Sequence, residues 1–211
     1  MTATIPRGLL LAAAAALAGC ASSPGGSDIT TAERTARIVR TTHGVPHISA
    51  PDLESLAYGV AYAHAQDNVC MTAQQLVTVR GQRARWFGNA NALFGLRALP
   101  NEQIDFYVAA QMDDAALDRI WARASADAQA LGRGYVAGYN RFLADQAGRL
   151  PAACNGQPWV QPMTVAEWRR LAELTSTQAG IAALADAVLA PQPPAAKAAT
   201  APVPAPAPAV D

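Results

Sequence analysis

From Pro191 to Asp211 the chain reads PQPPAAKAATAPVPAPAPAVD, and no packed structure can be built from it. Alternating Pro removes the donors that helices and sheets need, and nothing there could form a core. The composition predicts a disordered, polyproline-like tail over 191–211. The other end is equally restrictive. One cation, Arg7, precedes an apolar run of ten residues from Leu9 to Ala18, too short to span a bilayer. LAGC at 17–20 and ASSPGGS after it complete the layout of a secretory signal. What remains for folding runs from about Thr30 to Ala190.

LAGC also has the form of a bacterial lipobox, which predicts a lipoprotein signal peptide at 1–19, lipidation of Cys20 and a flexible tether over 20–30. An ordinary signal cleaved near Ala18 or Ala21 is the alternative. Ala21 is not the Asp associated with inner-membrane retention. The expected location is therefore outside the cytoplasm: exported, periplasmic and held at the membrane by a lipid anchor. With Cys20 lipidated, Cys70 and Cys154 remain. In an oxidising compartment an even pair reads as a disulfide; two free thiols, one buried on a helix, are the other possibility.

Charge excludes one class of partner. Sixteen Lys+Arg balance sixteen Asp+Glu, so nothing favours nucleic acid electrostatically. The 51% apolar fraction includes 50 Ala. Larger apolar side chains are then only about a quarter of the chain, a modest core for this length.

Inside the folding span the pattern is α+β and mostly helical. Ala36–Arg40 and Val45–Ile48, joined by a turn at Thr41–Gly44, read as a β-hairpin, with Pro46 at an edge. Asp52 is a good N-cap for a helix from Leu53. Tyr58–Ala65 is rich in small residues and invites close approach by another element. Asp67–Asn68 marks a break, a second helix follows to about Arg80, and Gly81 stops it. Gln82–Pro100 reads as loop. Helices are expected over Ala115–Arg123, preceded by first-turn charges at Asp113 and Asp114, and over Ser125–Ala147. Thr164 and Glu167 form a capping box for a last helix continuing to Leu189.

Spacing alone reveals no active site. His43 and His47 are separated by Gly44 and Pro46, which exclude a shared helical face, so no metal site is expected. His43 and His64 are expected to hydrogen-bond or pack. Neither a G-x-S-x-G elbow nor a phosphate loop occurs.

A set of motifs in order changes the reading. GVPHI at 44–48, YGVAYAHAQDN at 58–68, RGQRARWFG at 80–88, GYVAGYNRFL at 134–143 and PWVQPMT at 158–164 together resemble the α-chain part of the penicillin acylase family. The likeness covers about 150 residues. DNVC at 67–70, Cys154 and RGQRARWFG are most similar to the acyl-homoserine-lactone and aculeacin A acylases of that family. One departure is Arg40-Thr41, where the family has Arg-Asp.

The resemblance implies an N-terminal-nucleophile amidohydrolase with a four-layer αββα fold shared by an α and a β chain. The β chain opens with a Ser whose own amino group acts as base. Residues 31–190 would be the α-chain region, and 191–211 the start of a spacer. No Gly-Ser follows that region, so no catalytic residue carries over to this chain. The expected function is cleavage of the amide of an N-acyl substrate, inactive without the β chain. The expected partners are that β chain, the N-acyl amide and the membrane. A wall of the acyl pocket is expected at Leu174, Gly180, Ile181 and Leu184, although Leu174, Ile181 and Leu184 also have the spacing of plain core. Trp86, Phe87 and Trp159 are expected as packing anchors. No cofactor is expected; structural calcium occurs in the family, but no residue here can be assigned to it. A stand-alone lipoprotein without catalysis, or a truncated gene product, is the competing reading. The downstream coding sequence distinguishes them.

Overall fold

The computed structural model describes residues 26–177 and 180–190. The signal-peptide run, Cys20, residues 20–25 of the expected tether and the Pro/Ala tail lie outside the described residues.

A three-stranded antiparallel sheet comes first, in the order β1 (Gly26–Thr30), β2 (Thr35–Arg40), β3 (Pro46–Ser49). β2 and β3 are the two strands expected of the hairpin. Between them Gly44 takes φ +80°, and the Thr41 N–H donates to the Val45 carbonyl at 3.0 Å. Pro46 sits on an edge strand, where its missing donor costs nothing. β1 corrects the expected tether over 20–30. Residues 26–30 pair with β2 in the register Gly26↔Val39 to Thr30↔Thr35, which buries Ile29 beside Ala36 and Ile38. A single apolar residue in a Gly/Ser-rich stretch gives no alternation to read; the strand exists because β2 offers it a ladder.

α1 (Leu53–Val79) starts at Asp52, whose Oδ1 accepts the Ser55 N–H at 2.7 Å. The expected break appears as a kink: Asn68 leaves helical geometry (φ −137°, ψ 24°), and the helix resumes at once. Gly81, at φ +64°, ends it with its N–H on the Thr78 carbonyl.

Gln82–Pro100 is not loop. It holds α2 (Arg83–Phe87) and a hairpin of β4 (Asn91–Phe94) and β5 (Arg97–Pro100), and α3 (Asn101–Gln111) follows directly. The ordering groups are polar and come from α3. The Asp105 carboxylate accepts the N–H groups of Arg83 and Ala84, both at 2.8 Å, and so caps α2 from another helix. Buried Asn101 donates to the Gly88 carbonyl at 2.9 Å. A cap supplied from more than twenty residues downstream leaves no local signature.

α4 (Asp114–Arg123) is capped by Asp113, and α5 (Ala126–Asp145) by Ser125. α6 (Val165–Thr177) opens with the expected box: the Thr164 N–H donates to Glu167 Oε2 at 2.7 Å, and the Glu167 N–H to Thr164 Oγ1 at 3.2 Å. It does not continue to Leu189. The hydroxyls of Thr175, Ser176 and Thr177 donate to carbonyls one turn back, at Leu171, Ala172 and Glu173. That loosens a helix. A 3-10 turn (Ile181–Leu184) and α7 (Ala185–Leu189) take over.

The core forms where α1 lies between the sheet and α5. Gly59 faces Ala36 and Ile48 of the sheet, with no room for a Cβ. Gly134 and Gly138 of α5 meet the backbone of α1 at Glu54 and Tyr58. The small residues of 58–65 thus do receive a close neighbour. Phe142 packs edge-on against Tyr62, with ring centroids 5.4 Å apart. Cys70 and Cys154 are bridged, their Cα atoms 5.5 Å apart and 84 positions apart in sequence. The bridge ties the second half of α1 to the loop ahead of buried Trp159, which meets Phe87 edge-on at 5.4 Å.

Candidate functional site

A cavity of about 380 Å³ opens where the second half of α1, the β4–β5 hairpin, α3 and α6 meet. Phe94, Ile104, Leu171 and Leu174 give it apolar walls. Met71 and Leu93 also line it while remaining 56% and 78% exposed, so it communicates with solvent beside them.

One charged group lines this cavity. Arg83 stands at the first position of α2, held there by the Asp105 cap on its backbone N–H. Its Nε donates to Asn101 Oδ1 at 2.8 Å and its Nη1 to Thr78 Oγ1 at 3.0 Å. The guanidinium lies 5.2 Å from the centroid of the Phe87 ring, one helical turn on. Burial pushes the Arg83 guanidinium below its ordinary value, and the charge of Asp105 offsets this only in part. It stays cationic at any physiological pH, but in surroundings short of negative charge. Local sequence could not expose this site. Arg83, Thr78 and Asn101 belong to three elements, two of which the local pattern missed.

Of the four expected wall residues, the structure brings only Leu174 to this cavity, buried at 3% exposure. Gly180, Ile181 and Leu184 are exposed around the 3-10 turn and do not line it. Trp159 and Phe87 pack on each other, and Trp86 lies against the core as expected.

The remaining candidates lie away from this cavity. The His64 Nδ1 is 3.0 Å from the Tyr135 hydroxyl. His43 and His47 are exposed. Ser55 donates to Asp52, Ser125 caps α5, and Ser176 donates along α6. Among the described residues no group of three or more His, Cys, Asp and Glu is placed to hold a metal ion, and no helix is long and apolar enough to cross a membrane. Arg40, which lacks an acidic residue directly after it, finds one on α1: its Nη1 and Nη2 both reach Asp67 Oδ2 at 3.1 Å.

Comparison with known proteins adds to this geometry. A family model described as penicillin amidase matches residues 35–203. The chain is 37% identical over 164 residues to an acyl-homoserine lactone acylase, PvdQ, of Pseudomonas putida, covering 77% of this chain and 21% of that protein. It is 39% identical over 165 residues to the aculeacin-A acylase of Actinoplanes utahensis, covering 76% and 21%. The chain thus spans about one fifth of the length of these curated relatives. Among solved structures, a thermostable penicillin G acylase from Alcaligenes faecalis superposes with a TM-score of 0.56 at 26% identity, over 67% of this chain and 72% of that one.

Proposed function

The chain belongs to the penicillin amidase family, and on that premise we propose that it is the α-chain portion of an amidohydrolase that cleaves the amide of an N-acyl substrate. A long-chain acyl-homoserine lactone or a related acyl amide is the substrate class that best suits the reading. The observation that carries it is collinear similarity over three quarters of the chain to two acylases, one named for acyl-homoserine lactones and one for aculeacin A.

On this reading the chain is one part of a four-layer αββα N-terminal-nucleophile hydrolase. The nucleophilic Ser and its own amino group belong to a β chain, and this chain supplies scaffold and pocket wall. Leu174, with Gly180, Ile181 and Leu184 exposed just beyond it, would face the acyl group once the β chain packs against that end. The reading also includes export, with lipidation at Cys20. A diacyl anchor with a third, amide-linked chain binds a membrane far more firmly than a single acyl chain does.

The test is fatty-acid release from a long-chain acyl-homoserine lactone. The 211-residue chain alone should give none, and co-expression with a matching β chain should give turnover. Turnover by the chain alone that survives replacement of every Ser by Ala would overturn the reading, as would an inert co-expressed complex. Mass spectrometry of the mature amino terminus tests the anchor: an unmodified start at Ala21 or later removes it.

A further inference from the structure

We propose that the Arg83 cavity is a binding site for a small monocarboxylate with an apolar body. A guanidinium carries five N–H donors. Two of Arg83's have protein partners, and both partners are neutral oxygens. That leaves three donors without a partner among the described residues.

The other arginines wedged between elements are placed differently. Arg34, Arg80, Arg169 and Arg170 each reach a carboxylate within 2.6 Å. Among the described residues no carboxylate pairs directly with Arg83; Asp105, whose charge acts on it, has its carboxylate occupied by two backbone N–H groups. A half-buried cation with spare donors and only the partial compensation of Asp105 is the arrangement that an anionic ligand completes.

The chemistry narrows the ligand. The planar guanidinium fork matches the two oxygens of a carboxylate. A single cation balances a single negative charge, so a phosphate dianion would be undercompensated. Phe94, Ile104, Leu171 and Leu174 offer hydrocarbon, while Gln74, Gln75 and Thr78 add neutral polar groups to the same lining. The volume of about 380 Å³ lies at the small end of the range for small-molecule sites. The opening beside Met71 and Leu93 gives an entry path. This assignment stands on Arg83 and its cavity and does not depend on amide hydrolysis.

Calorimetric titration of the 211-residue chain with hexanoate, and with hexanamide as its neutral counterpart, tests it. Hexanoate should bind once per chain and at least tenfold more tightly than hexanamide. Arg83→Gln should abolish that preference, and Arg83→Lys should keep part of it. Because Arg83 also supports Thr78 and Asn101, Ala92→Phe provides a second variant. It fills the cavity with the guanidinium intact and should also abolish binding. Equal affinity for acid and amide, no binding of either, or hexanoate binding unchanged in Arg83→Gln or Ala92→Phe would overturn the proposal. So would loss of hexanoate binding on assembly with a β chain, which would show that the partner chain closes the cavity.

Discussion

The backbone carbonyl of Tyr58 occupies the space that a Cβ on Gly138 would need. One turn earlier on each helix, the Glu54 carbonyl stands in the same relation to Gly134. Two glycines four apart therefore let α5 lie directly on the backbone of α1, with Ala57 and Ala61 completing the seam.

Gly138→Ala should therefore destabilise the fold. In an exposed helix the same change would gain about 1 kcal/mol from propensity. Here steric overlap with fixed backbone should reverse the sign, for a net loss of about 1–3 kcal/mol. Urea unfolding by circular dichroism measures it. A midpoint equal to or above that of the parent would show that the helices are not in backbone contact.

The Cys70–Cys154 bridge closes a long loop, and removing it should lower stability by about 2–5 kcal/mol. Cys70→Ala with Cys154→Ala and dithiothreitol on the parent should shift the urea midpoint alike. Peptide mapping under non-reducing conditions should recover the two cysteines linked; free thiols at both would contradict the bridge.

Acid should weaken the contact between the β1–β2 connection, α1 and α5 through Glu54. Burial alone would raise its pKa, but hydrogen bonds from Arg34 and Arg133, with their charges, outweigh that and hold it below its ordinary value. A depressed carboxyl contributes stability that is complete above its unfolded value, about 4.3, and is lost as pH falls through the lower folded value. Glu54→Gln should thus be less stable than the parent at pH 7 and lose less between pH 5 and pH 2. Parallel stability curves for the two proteins would refute the role given to Glu54.

Ile181→Asp with Leu184→Asp probes the proposed acyl wall. Both side chains are exposed, at 45% and 61%, so the thermal midpoint of the chain should hardly move. In the complex with a β chain, long-chain substrates should lose activity more than short-chain ones. An equal loss for all chain lengths would remove these residues from the acyl pocket.

Much of the fold was legible because its signals are local. Asp52, Ser125 and the Thr164–Glu167 box announce helices by side chains that reach their own first turn. Gly81 ends α1 because the left-handed conformation suits glycine. Asn68 marks the kink for a related reason, since Asn competes with helical hydrogen bonding. The order of motifs was enough to point to the family.

Tertiary structure decided the rest, because its causes are distant in sequence. β1 is a strand only because β2 pairs with it, and α2 starts where Asp105 of α3 caps it. The expected continuation to Leu189 is instead α6 to Thr177, a 3-10 turn and α7, and the hydroxyls of Thr175, Ser176 and Thr177, which bond back to carbonyls one turn earlier, weaken α6 at that end. The Arg83 cavity is the clearest case. Each residue around that guanidinium is ordinary in its own segment, and a cation paired only with neutral oxygens exists only once α1, α2, the second hairpin and α3 have packed together. Sequence determined which elements could form, since their hydrogen bonds close within a turn; packing determined which charges were left short of compensation, since that depends on neighbours in other elements.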